Sequence, residues 1–233
     1  MISDIDKQIT IRKTVSIAVL TAIAILLVFL RVRLPFISGM FGIDFSVFPE
    51  LLAAIAFGPI AGIVVCLIKA VIHIAFIPTA LIPDIASVAV DIVFIVFAEI
   101  LYSSHMYMSE DEDMVIKPFE REKAIFFSSI ISVIPALILQ FFLTEFFVYP
   151  KLEKYYSNEG LTYDNILANY AVSTEFLRNH FPSLAKSIPD FKGIWQGVLF
   201  VNLPLAFIKY LIVAIVTMVV YKYISPFFHY RQD

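Results

Sequence analysis

GIDFSVFPELLAAIAFGPIAGIVVCLIKAVIHI, from Gly42 to Ile74, is apolar along most of its length and is broken once, at Gly58-Pro59. Two helical runs meeting at that break account for it, because Gly and Pro punctuate helices where few other residues do. The first run is short for a full bilayer crossing, which needs about 20 apolar residues. It either spans at a steep angle or enters as a re-entrant hairpin with the second run. Four exceptions to the apolar pattern, Asp44, Glu50, Lys69 and His73, require a polar interior to receive them.

The rest of the chain has the same character. Of 233 residues, 60% are hydrophobic and only 16% are charged, with a mean hydropathy of +0.87. Soluble domains sit near half apolar and a quarter charged, so this composition describes an integral membrane protein. One cysteine, Cys66, excludes an intrachain disulfide and a zinc site on paired cysteines. No G-x-x-x-x-G-K-[ST] loop is present, so the chain carries no ATP-hydrolysing P-loop of its own. No H-E-x-x-H or nucleophile–base spacing marks catalysis or a metal, and no cofactor is implied. The net charge of −3 argues against a nucleic-acid partner.

Working outward from the central stretch, six spans are expected in an all-α single membrane domain over residues 1–233. The first runs from Thr14 to Leu30, between Lys7, Arg12, Lys13 and Arg31, Arg33. Ile43–Ile77 supplies the second and third, and Ile85–Tyr102 the fourth. Ala124–Val148 is the fifth, with Pro135 inside it, and Val198–Tyr221 the sixth. A polar loop, Ser109–Lys123, separates the fourth and fifth. An extended external segment of about 150–197 separates the fifth and sixth. Within it Ile166, Leu167, Tyr170, Ala171, Thr174, Leu177 and Phe181 recur at helical spacing. That pattern fits a cap over the outer mouth or a plain surface insertion.

Basic residues set the orientation. Lys7, Arg12, Lys13, Lys117, Arg121, Lys123, Lys222 and Arg231 fall on one side. Both termini are therefore expected in the cytoplasm, with the chain multi-pass in the plasma membrane and the lipid bilayer as its surroundings.

Ionisable residues inside spans cost about 2.5–3.5 kcal/mol each at a helix centre, so they face the protein interior or a cavity. Glu50, Lys69, Asp91, Glu99, Glu145 and Lys209 are in that position. Helical rise puts Lys69 about 12 Å and Asp91 about 10 Å from the outer turn, which makes them candidates to pair. His73 lies one turn from Lys69 on the same face. Lys209 follows Pro204 by five residues, and a proline kink beside a charge suggests a polar cavity. Thr144, Glu145 and Tyr149 stand near the outer end of the fifth helix, where they can line it from above.

Phe41, Phe45 and Phe48 cluster at the start of the second helix. They suit an interfacial belt or a stack on a planar ligand. Ala18 and Ala22 form a small-xxx-small step on the first helix, which suits internal packing or a docking face for another membrane subunit.

These residues together resemble a known family. Gly42–Ile74 is similar to the second and third helices of the substrate-binding S components of energy-coupling factor (ECF) transporters, and within them to the riboflavin-specific group. That group's pattern is roughly L-D-F-S-D-x-P-A-L, F-G-P-x-A-G and L-I-K-N-x-x-H. Asp44-Phe45-Ser46, Phe57-Gly58-Pro59 and Leu67-Ile68-Lys69 carry the match here. FIKYLIVAIVTMVVYKYISP, Phe207 to Pro226, resembles the group's sixth helix, and the alanine step resembles its A-x-x-x-A face.

The resemblance implies six helices that bind a vitamin from outside. It implies a partner module of one coupling membrane protein and two ATPases, and no enzymatic activity. Implied substrate contacts are Lys209 and Thr144, with Phe45 and the loop from Met40 as a gate. Asp44, Phe48, Lys69, His73, Glu145 and Ala206 complete the candidate set. Ala18 and Ala22 would meet the coupling subunit. The chain departs from the group's pattern at Val47 and Glu50, and has Ala70, Thr144 and Ala206 where the group has asparagines. Riboflavin, another vitamin, and transport by a solitary ion-coupled carrier using Lys69, Asp91 and Glu145 all stay open at this point.

Overall fold

The computed structural model describes residues 4–33, 42–110, 118–157, 162–180 and 190–228. Helix α1 is Asp4–Phe29. A two-residue strand β1, Val32–Arg33, pairs antiparallel with β2, Gly42–Ile43, so that Val32 faces Ile43. Helix α2 is Val47–Phe57 and α3 is Pro59–Phe76. A 3-10 turn, Pro78–Ala80, leads into α4, Leu81–Glu110. Helix α5, Pro118–Leu143, passes through a π-helical turn, Thr144–Val148, into α6, Tyr149–Tyr156. Helix α7 is Tyr163–His180. The short α8, Ile194–Gly197, leads through a second π turn, Val198–Asn202, into α9, Leu203–Phe228.

The α2–α3 break has a clear local cause. Gly58 sits at φ +93°, a conformation that side-chain-bearing residues rarely adopt, and Pro59 opens α3 where its missing N–H costs nothing. Helix α2 is the middle of the molecule. It packs against α1, α3, α4 and α9, and Val47, Leu51, Leu52, Ala53 and Ala54 are sealed from solvent. A helix apolar on every face is stable only when surrounded in this way. Gly62 permits the close approach of α3, since a Cβ there would lie 2.8 Å from the Glu50 carbonyl oxygen and 2.9 Å from Ala54 Cβ.

Among the described residues, five helical stretches are long and apolar enough to cross a membrane: Thr10–Phe29, Pro59–Phe76, Pro78–Tyr107, Arg121–Tyr156 and Ile194–Ile224. The remaining apolar helix, α2, has only 11 residues and rises about 16 Å. Large apolar side chains cover the outside of the bundle, among them Val15, Leu26, Val71, Ile134, Ile138, Ile208 and Ile215. This is a multi-pass membrane protein of helices.

The fifth and sixth apolar helices run beyond their expected ends at Val148 and Val198, continuing to Tyr156 and beginning at Ile194. Each extension adjoins a π turn that is followed within two residues by a proline, Pro150 or Pro204. A proline cannot supply the regular helical hydrogen bond, and a one-residue widening of the helix absorbs the loss. The fourth and first helices are also longer than their apolar runs, because polar residues extend them at the ends. Within the segment 150–197, α6, α7 and α8 form a second core around Leu152, Ile166, Tyr170 and Ile194. Of the expected inward positions on α7, Ile166, Tyr170 and Thr174 are buried and Ala171 is exposed. Leu177 and Phe181 lie outside the side chains described.

Candidate functional site

The hairpin base, the start of α4, the π turn and α6, and the start of α9 meet at one end of the bundle. Between them opens a cavity of about 920 Å³, including its mouth. Each helix contributes residues at helical spacing. Ser87 and Asp91 come from α4, Gln140 from α5 with Thr144 from the π turn, and Ala206, Lys209 and Tyr210 from α9. Arg31, Ile43 and Asp44 form the hairpin side, and Tyr149 and Leu152 the α6 side. Pro83, Ala86, Val90, Leu143, Val148 and Leu205 make the remaining wall apolar.

Behind the cavity runs a buried chain of alternating charges. Arg31 reaches Asp44 Oδ2 at 3.2 Å and Asp84 Oδ1 at 3.7 Å. His73 Nδ1 lies 2.5 Å from Asp84 Oδ2. Asp44 Oδ1 accepts from the Ser46 hydroxyl at 2.5 Å and from the Ser46 N–H at 3.2 Å. Lys69 Nζ donates to Ser46 Oγ at 3.1 Å and meets Glu50 Oε1 at 2.5 Å and Asp91 Oδ2 at 3.3 Å. The Tyr210 hydroxyl donates to Asp91 Oδ1 at 3.2 Å. Buried charges persist only when paired, and each of these has an opposite charge beside it, although Glu50 Oε2 and Arg31 Nε are buried without a hydrogen bond. Burial pushes the Asp44 carboxyl upward, yet the ammonium groups of Lys209 and Lys69, the Arg31 guanidinium and the Ser46 hydroxyl together hold it well below the usual carboxylate range.

Glu50, Cys66 and Asp91 bring three potential metal ligands within 4.8 Å of one another. The Lys69 ammonium already lies between the two carboxylates and supplies the positive charge there.

Other wall groups are uncommitted. Among the described residues Ser87, Gln140 and Thr144 make no side-chain hydrogen bond. Lys209 Nζ lies 3.9 Å from Asp91 Oδ1, beyond hydrogen-bonding distance, and 5.2 Å from the centre of the Tyr210 ring. Partly apolar walls with a few convergent polar groups are the features that small-molecule sites share.

Residues 12–221 match the family described as "ECF transporter, substrate-specific component". The chain belongs to this family. ECF substrate-specific components are parts of transporters and not enzymes. The riboflavin transporter RibU of Staphylococcus aureus (strain TCH60) is 40% identical over 65 residues, which is 28% of this chain. The match spans only 34% of that protein's length. A solved S component of a bacterial ECF transporter shares the fold, with a TM-score of 0.61 over 94% of this chain and 98% of its own, at 22% identity.

The candidates named from sequence separate into groups in this S component. Lys209, Thr144, Asp44 and Ala206 stand on the cavity wall. Lys69 and His73 lie behind it, against a much smaller space shared with Arg31, Asp84 and Asp91. Phe45 and Phe48 turn away from the cavity and pack against the central core. Glu145 is on the π turn but not on the wall, and one of its carboxylate oxygens is buried without a hydrogen bond. Met40 lies outside the described residues. Ala18 and Ala22 are exposed on the outer face of α1, opposite buried Leu20, Thr21 and Ala24. Sequence reading missed Arg31, Ser87, Gln140 and Tyr210 as wall residues. The i, i+4 spacing of Ser87 with Asp91 and of Gln140 with Thr144 is a signal that was available.

Proposed function

We propose that this chain captures riboflavin, or a related small planar vitamin, from outside the cell and delivers it inward together with a membrane coupling subunit and two ATPase subunits. The cavity carries the reading. It is apolar over much of its wall, and carries uncommitted Ser87, Gln140 and Thr144 beside Lys209, which is held only loosely by Asp91. The short match to a riboflavin transporter favours that substrate. The bundle then has six membrane helices, with α2 as a short element held inside, and the segment 150–197 is external. The clustering of basic residues near both termini and the α4–α5 loop favours a cytoplasmic side for these. The cavity thereby opens outward. Ala18 and Ala22 are the contact for the coupling subunit.

A second vitamin is favoured by one observation: alanines at 70 and 206 and Thr144 leave Gln140 as the single carboxamide on the described wall. Mass spectrometry of small molecules that co-purify with the protein in detergent, followed by fluorescence titration with riboflavin, tests the proposal. Co-purified riboflavin and saturable quenching are expected. A different vitamin, with no response to riboflavin, would replace the substrate and retain the transporter role. Uptake by vesicles holding this chain alone, driven by an ion gradient, would replace the coupling scheme by that of a solitary carrier.

A further inference from the structure

We propose that Gln140 determines ligand specificity by reading an imide-type edge, an N–H beside a carbonyl, on an uncharged planar ligand. This rests on the substrate-capture reading above. Gln140 lies on α5 amid Ile138, Leu139, Phe141, Phe142 and Leu143. Its side chain is half-buried, and an amide beside so apolar a stretch gains most from a partner that replaces water. No protein group does so among the described residues, and the side chain stands on the cavity wall. It sits one turn from Thr144 on the same helix face and about 6 Å further from the α6 end. Asp91, Lys209 and Tyr210 also line this cavity.

The charges on the wall decide the class of ligand. Arg31 and Lys209 contribute +2, and Asp44 and Asp91 contribute −2, so the formal sum is zero. A ligand with net charge would lose its hydration with no surplus counter-charge to receive it. A neutral ligand meets no such penalty. A carboxamide offers an acceptor and a donor side by side. Gln140 Oε1 accepts from the ligand N–H while Nε2 donates to the adjacent ligand carbonyl. Lys209 is a donor only, and Gln140 is the one carboxamide among the described wall residues, so the paired reading of N–H and carbonyl falls to Gln140.

The test is a double-mutant cycle between protein and ligand. Riboflavin and its N3-methylated analogue are titrated against wild type, Gln140→Leu and Gln140→Asn, all checked for an unchanged thermal midpoint. In wild type, methylation weakens binding about tenfold, the scale of one hydrogen bond left unmade in a buried site. In Gln140→Leu, riboflavin binds about tenfold more weakly and methylation adds less than about threefold. Gln140→Asn keeps the amide but not its reach and falls between. Tight riboflavin binding by Gln140→Leu, or an undiminished methylation penalty in it, would overturn the role of Gln140 and leave the substrate reading intact. Wild type that ignores both flavins while retaining another vitamin overturns both, and so separates the two failures.

Discussion

Lys209 Nζ stands 3.9 Å from Asp91 Oδ1, on the cavity side, while Lys69 Nζ holds the other carboxylate oxygen at 3.3 Å from within the core. One acid thus has a committed partner and a loosely placed one. Removing the loose one leaves Asp91 paired to Lys69 and hydrogen-bonded by Tyr210. Lys209→Ala is therefore expected to melt only slightly lower in detergent, since Asp44 loses one of several stabilising charges, and to lose about ten- to a hundredfold in riboflavin affinity, the range of a hydrogen bond from a charged donor. Fluorescence titration beside a melting curve checks this. Unchanged affinity would remove Lys209 from the ligand site.

Lys69 behaves in the opposite way. It is 5% exposed and sits between Glu50 and Asp91. Lys69→Met strands two buried carboxylates, a change that costs about 3–5 kcal/mol when one partner of a buried pair is lost. The expected result is a large fall in melting temperature and in folded yield. Replacing Glu50 by Gln in the same protein should restore part of the loss. If Lys69→Met melted like wild type, the charge chain would not be a structural element.

Much of this was legible in the chain. Apolar runs located the long apolar helices, Gly58-Pro59 located the break, and counting residues along the helices put Lys69 level with Asp91. The places where sequence reasoning ran out share one cause, the dependence of side-chain direction on tertiary packing. Phe45 and Phe48 look like surface aromatics in a linear reading, but α2 is enclosed on all sides, so they join the core. Arg31 reads as a flanking charge, yet the β1–β2 hairpin turns it back across Asp44 and Asp84. The π turns before Pro150 and Pro204 have no hydropathy signature, so the helices were expected to stop where polarity begins.

Asp44 makes stability depend on acid. Its carboxyl is held well below the usual range in the folded protein, against the upward push of burial, by Lys209, Lys69, Arg31 and Ser46. A group with a depressed folded pKa contributes fully above its unfolded pKa, near 4, and that contribution is lost as pH falls toward the folded value. Asp44→Asn should melt well below wild type at pH 7, and the gap should narrow progressively below about pH 4. Melting curves across pH 3–7 in detergent measure it. A gap independent of pH would show that Asp44 acts by shape alone.

Helix α7 braces the cavity wall through one aromatic contact. The Tyr170 hydroxyl bonds that of Tyr149, a cavity residue, which also accepts from Asn202 Nδ2 at 3.3 Å. Gly197 lies under the Tyr170 ring, and a Cβ there would overlap the ring carbons. Gly197→Ala should push α7 away, raising hydrogen exchange along Tyr163–His180 by at least about tenfold, with little change in α3 or α4. Riboflavin affinity should fall as Tyr149 loses its support. Protection of α7 equal to wild type would mean that the ring moves without the helix.

On the proposed docking role, the outer face of α1 would act in delivery and not in binding. Ala18 and Ala22 are exposed, between Val15, Val19 and Leu26, while Leu20, Ala24 and Val28 pack inward. Small residues four apart permit close approach of another helix, and large ones prevent it. Since neither alanine touches the cavity, Ala18→Leu with Ala22→Leu should leave both the melting temperature and riboflavin affinity of the isolated protein unchanged. The same variant should fail to co-purify with the coupling and ATPase subunits and should lose ATP-dependent riboflavin uptake in vesicles. Retained uptake would place the docking face on another helix, and lost affinity would mean that this face also supports the cavity.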